Sequence, residues 1–154
     1  VWGTVRGAPF AYAERMRNVF VFPAGAREET VATLDRHLPD QRHPWTMGGN
    51  LYVEIDDEGE GQLFSDWDPD DVASLEAALG SHPTWAVRID VSGRIDGTLE
   101  VRKVVALMLK RGGVALDDYS SHAWTLVEIT SGAVVGGLRF FDFRAYDELH
   151  SGAI

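Results

Sequence analysis

The run Trp85-Ala-Val-Arg-Ile-Asp-Val91, followed by Ser92-Gly-Arg94, a segment from Thr98 to Arg111, Gly112-Gly113 and Val114-Ala-Leu-Asp-Asp118, decides the fold. Its first seven residues put Trp85, Val87, Ile89 and Val91 on one face, the period of a half-buried strand. From Thr98 the period changes. Val101, Val104, Val105 and Met108 recur as a helical stripe, Leu107 and Leu109 widen it, and Lys110 and Arg111 suit the C-terminal end before the glycines. A second strand then covers 114–118. Strand, helix and strand joined by short links predict a βαβ crossover, hence parallel strands.

Upstream, Asp68-Pro-Asp-Asp71 is a helix start: Asp68 caps, Pro69 takes the first helical position, and two carboxylates meet the positive end of the dipole. Val72, Leu75 and Leu79 form its stripe and Gly80 ends it. Further back, Leu51, Val53 and Ile55 alternate with Tyr52, Glu54 and Asp56 as a strand. Glu58-Gly-Glu-Gly61 is expected to turn this strand into a hairpin with a partner over 62–66. Residues 39–49 read as a loop, Glu28 to Leu38 as a helix with Val31, Leu34 and Leu38 on one side, and Val19 to Phe22 as a strand.

Downstream, Thr125-Leu-Val-Glu128 fits a capping box, which predicts a short helix ending near Gly132. The alternation of Leu138, Phe140 and Asp142 predicts a last strand over 138–143, with a frayed tail from Asp147. The sum is an α+β protein, a mixed sheet with helices mainly on one face in a split-βαβ-like sandwich. His43-Pro-Trp45 and His82-Pro-Thr-Trp85 each precede a strand, a short echo that carries no repeat by itself.

With 154 residues and 45% apolar content, one domain with a packed core is expected over 16–154. The first methionine is Met16, so residues 1–15 read either as an appended or overlong N-terminal segment or as a genuine hairpin built on Val1-Trp-Gly-Thr-Val5. The absence of cysteine excludes disulfides, thiolate nucleophiles and cysteine zinc sites. No apolar run reaches the roughly 18 residues of a membrane span, and no signal peptide is visible. Twelve Arg against two Lys is the bias of a high-GC bacterial genome. The expectation is a bacterial, cytoplasmic protein.

Charge is the most informative property. Between Arg42 and Arg88 there is no Lys or Arg, while ten of the 24 acids lie there: Glu54, Asp56, Asp57, Glu58, Glu60, Asp66, Asp68, Asp70, Asp71 and Glu76. The remaining 14 acids are balanced by the 14 bases, so the whole net charge of −10 belongs to this third of the chain. Such a block repels nucleic acid and attracts a basic protein partner. The alternative is a solvated face that aids solubility. The expected binding surface is Glu54, Asp56, Asp57, Glu58, Glu60 and Asp66 with Trp67, and Trp45 joins it if exposed.

Other constellations are weaker. Asp56 to Leu63 has the acids and the glycine of a calcium loop, but its twelfth position is Trp67 instead of a bidentate Glu, so no metal is expected. Asp117, Asp118 and His122 follow the end of a strand, where α/β ligand sites tend to occur. A carboxylate orienting the imidazole, with Ser120 or Ser121 as nucleophile, would make a small enzyme or ligand-binding domain. No oxyanion-hole signature accompanies them, and the competing reading is a polar loop in which Ser121 or Thr125 caps a helix. His37, His43 and His82 match no zinc spacing. No cofactor motif is present.

The segments Val87-Arg-Ile-Asp-Val-Ser-Gly-Arg94, Gly113-Val-Ala-Leu-Asp-Asp-Tyr-Ser120 and Trp124-Thr-Leu-Val-Glu-Ile129 resemble small bacterial domains found among the immunity proteins of polymorphic toxin systems. That resemblance implies a non-catalytic antitoxin masking a basic partner, and transfers no functional residue.

Overall fold

A computed structural model describes residues 16–38, 44–61 and 63–151, leaving the segment 1–15 and His43 outside the described residues. The elements are β1 (Arg17–Pro23), α1 (Arg27–His37), β2 (Trp45–Met47), β3 (Leu51–Asp57), α2 (Pro69–Leu79), β4 (Trp85–Val91), α3 (Thr98–Met108), β5 (Gly113–Asp117), α4 (Leu126–Ser131) and α5 (Phe143–Ser151). They form an α+β fold on one five-stranded sheet of order β2-β3-β4-β1-β5.

β4, α3 and β5 lie where the sequence predicts, but the two strands are not neighbours. β1 sits between them and runs antiparallel to both, with Val19 opposite Ile89 on one side and Asp117 on the other. β4 and β5 therefore point the same way, split by the first strand, and every neighbouring pair in the sheet is antiparallel. The reason lies in Val19-Phe-Val-Phe22, which is apolar on both faces and so belongs inside a sheet.

On one face, Val19, Val21, Leu51, Val53, Val87, Ile89, Val91 and Ala115 form the main core with the stripes of α1 and α3. Val101, Val104, Val105 and Met108 are all buried there, joined by Ile129 of α4. On the other face Phe20, Phe22, Ala86, Val114 and Leu116 lie beneath Leu63, Phe64, Trp67, Leu75 and Leu79, contributed by α2 and the segment before it. Helices are thus mainly on the first face.

Two tight joints hold this arrangement. The buried Arg17 donates to the carbonyls of Ser92 and Asp96, each at 2.9 Å, and of Ile95, tying β1 to the β4–α3 link. Gly113 at the head of β5 has φ +109°, and a Cβ there would stand 2.2 Å from the Phe22 carbonyl oxygen, so the second glycine admits a backbone as well as ending the helix.

Three local expectations fail for identifiable reasons. No strand covers 63–66. Glu58–Glu60 form a 3₁₀ turn ended by Gly61, and Leu63 and Phe64 seal the second face, because β3 already pairs with β2 and β4. Inside the expected loop, Trp45–Met47 pair with β3 as an edge strand too short for a period to show. Residues 138–143 make a turn, not a strand. Leu138 bridges Val135, Phe140 and Phe141 plug the core, and Asp142 accepts from the Ala145 amide to open α5, which occupies part of the expected frayed tail.

Candidate functional site

The sheet places the sequence-selected carboxylates in two environments. Successive residues of a strand alternate between faces, so the residues between the core positions of β3 and β4 come together on the second face. Glu54 stands directly opposite Arg88 in the register. Arg88 is a hub: Nη1 donates to Asp56 Oδ2 at 2.8 Å and Oδ1 at 3.0 Å, Nη2 to Glu54 at 3.2 Å, and Nε to Asp90 at 3.2 Å. The side-chain Nδ2 of Asn18 also donates to Asp90. Burial pushes the Asp56 and Asp90 carboxyls up, and Arg88 offsets only part of that. Burial likewise opposes the charge on Arg88, but its carboxylates win and its pKa is raised.

Neighbouring acids are also engaged. Arg27 reaches Asp57 at 3.2 Å. His82 lies between two carboxylates, with Nδ1 2.6 Å from Glu76 and Nε2 2.8 Å from Glu58. A carboxylate at each ring nitrogen requires both nitrogens to donate, hence an imidazolium. These bonds, from Glu58 first and then Glu76, raise the His82 pKa above its ordinary 6.5. The stability it contributes is fully present below pH 6.5 and is lost as pH rises through the folded-state pKa. Because the ring is exposed, the contribution is small. An NMR titration of the histidine rings should show His82 titrating above 6.5, and Glu58→Gln should bring it back down. A His82 pKa at or below 6.5 in the wild type would refute the clamp.

Beyond this paired group lie Glu60, Asp66, Asp68, Asp70 and Asp71, on the turn after β3 and the start of α2. None of them has a cationic partner among the described residues. Asp68 caps α2 by accepting from the Asp70 amide at 2.8 Å, as its position predicts. Trp67 sits among them, half-buried, its ring edge-on to Phe64 at 4.8 Å and Phe20 at 5.2 Å. The expectation that Trp45 joins this surface is corrected: it is buried in the main core, its indole nitrogen donating to Asp35 at 2.9 Å. In the calcium-like stretch, Asp56 is held by Arg88 and Glu58 by His82, so two of its acids already face cations of the chain.

Asp117, Asp118 and His122 serve separate bonds. Asp117, 1% exposed, accepts from the amides of Tyr119 at 3.1 Å and Ser120 at 3.2 Å through one oxygen, and from Phe141 at 2.6 Å through the other. The buried Asp118 accepts from the backbone N–H of Asn18 at 2.8 Å, fastening the end of β5 to β1. His122 turns instead to Glu128, 3.0 Å away, and packs edge-on against Trp124. Burial pushes the Glu128 carboxyl up, but the Thr125 amide and His122 hold it below its ordinary value. Thr125 and Glu128 form the capping box of α4, so the loop is braced by the competing reading of its own sequence.

Sequence reasoning missed Arg88, Asp90 and Asn18. Arg88 and Asp90 occupy the polar positions of β4, and laying that strand antiparallel against Leu51–Asp57 would have set Arg88 across from Glu54. No family model matches the chain, and no curated protein or solved structure is significantly similar to it. No helix among the described residues is long and apolar enough to cross a membrane.

Proposed function

We propose that this is a non-catalytic binding module that presents the acidic segment from Glu60 to Asp71 to a basic protein partner, in the manner of an antitoxin that masks its toxin. The observation that carries this reading is the division among the ten acids. Glu54, Asp56, Asp57, Glu58 and Glu76 are held by Arg88, Arg27 and His82, whereas Glu60, Asp66, Asp68, Asp70 and Asp71 meet no cation among the described residues. The binding surface is therefore narrower than the charge block. Glu60 and Asp66 remain in it, Asp70 and Asp71 join it, and Trp67 supplies a half-buried aromatic edge of the kind that anchors interfaces. Glu54, Asp56, Asp57 and Glu58 contribute their field from behind. A bacterial, cytoplasmic setting belongs to the same reading.

The test is capture from a lysate of the source organism on the immobilised chain. Wild type should retain a basic protein at low salt and release it at high salt, with an association rate falling roughly tenfold or more. Asp66→Asn/Asp70→Asn/Asp71→Asn should lose that protein, while Glu100→Gln/Glu148→Gln, which removes acids elsewhere, should keep it. Equal capture by the two variants, or no salt-sensitive partner, would sink the reading.

A further inference from the structure

His82 does more than pair two carboxylates: it joins the two ends of the acidic segment. Glu58 stands in the turn that opens the segment and Glu76 on α2 beyond its close, and the ring meets them at 2.8 Å and 2.6 Å. Between them in the chain lie Trp67 and the acids without a cationic partner among the described residues, Glu60, Asp66, Asp68, Asp70 and Asp71.

The stretch inside that bracket is lightly tied. Glu58 is anchored by its own backbone N–H, which donates to the Thr84 carbonyl at 2.9 Å, and Pro69–Leu79 is a regular helix. Between these anchors the backbone bonds among the described residues are local: Gly61 donates to Glu58 and Trp67 to Phe64. Side chains fasten the stretch to the sheet, chiefly Leu63, Phe64 and Trp67 in the second core. Phe64 holds φ +68°, which a bulky side chain keeps only where its surroundings enforce it. Its ring stacks on Phe22 at 6.2 Å and lies 5.4 Å from the His82 ring. The imidazole thus touches the opening turn, the middle of the stretch and α2.

We propose that His82 is a pH-operated latch on this segment: as an imidazolium it holds the Glu58 turn, Phe64 and α2 together, and on losing its proton it lets residues 61–68 loosen. A neutral imidazole carries one N–H, so it donates to Glu58 or to Glu76 but not to both. The carboxylate left over then faces a ring lone pair, and one side of the bracket opens. Glu58 from the turn and Glu76 from α2 are the charged groups in ion-pair contact with the ring among the described residues, and Phe64 brings no charge. Both carboxylates, Glu58 first, raise the His82 pKa above 6.5. The segment is therefore held below that pH and loosens as pH rises through the folded-state value. These exposed bonds are weak against the whole fold. Local opening of a sparsely tied stretch is far easier than unfolding, however, so a several-fold change lies within their reach. The latch stands in the free chain whether or not the acidic surface takes a partner.

The experiment is hydrogen–deuterium exchange of the intact chain from about pH 5.5 to 8.5, read by mass spectrometry with labelling times scaled for the intrinsic base-catalysed rate. Scaled uptake in peptides covering 61–68 should rise several-fold across that range, along the His82 titration, while β4 and α3 stay unchanged. His82→Gln, with no proton to lose, should show the high-pH uptake throughout. Glu76→Gln should move the midpoint to lower pH, a change that a purely structural contact would not produce. Uptake in 61–68 that ignores pH in the wild type, that keeps its pH dependence in His82→Gln, or that rises equally over the whole sheet would overturn the latch. So would a midpoint unmoved by Glu76→Gln.

Discussion

Asp117→Ala should lower the unfolding free energy by about 3–4 kcal/mol in urea denaturation. The carboxylate is buried and accepts from three backbone amides, two in the turn after β5 and one, Phe141, from the turn before α5. Alanine leaves all three without their acceptor. It also frees the Phe140-Phe141 plug that closes the main core. Asp117→Asn keeps one oxygen but turns an NH₂ towards an amide, so its loss should be smaller, about 2 kcal/mol. If alanine costs under about 1 kcal/mol, water or a shifted backbone satisfies those amides and Asp117 is not the brace.

Arg88→Met comes second. Methionine preserves much of the arginine's apolar stem, so the change isolates the charge. Glu54, Asp56 and Asp90 would face one another with no cation between them, at a cost of about 2–3 kcal/mol at pH 7. The pH dependence gives a sharper signature. Asp56 and Asp90 already have folded-state pKa values above the ordinary 3.8, and removing Arg88 removes the chief influence lowering them. A carboxyl whose pKa is raised by folding contributes stability that is complete below its unfolded value and is lost as pH rises through the folded value. The stability gap between variant and wild type should therefore narrow as pH falls from 7 towards 5. A gap that stays constant or widens would show that Arg88 acts through packing alone.

Periodicity was a good guide wherever one face of an element is buried and the other is wet. β4, α3, the Asp68-capped α2 and the Thr125 capping box all follow from spacing and cap chemistry that act within a few residues. The failures share a different cause. Whether Leu63 and Phe64 extend a hairpin or plug a sheet depends on which edges of β3 are already occupied, a fact set by β2 and β4 and not by local sequence. Asp142 could be read as the next step of an alternation or as the cap of α5, and the buried Phe140-Phe141 pair decides for the cap. The site was legible as charge but not as pairing. Counting acids found the block, whereas the hub at Arg88 required the cross-strand register.

The interior place of β1 has a consequence for synthesis. Its neighbours are β4 and β5, so Val19 leaves the ribosome long before Ile89 and Asp117 exist to flank it. During that interval Phe20 and Phe22 on one side and Val19 and Val21 on the other have no sheet to enter. The nascent chain thus carries an unpaired apolar strand until β4 and β5 have been translated, and a growing polypeptide of this kind is a natural client for chaperones that bind extended apolar segments.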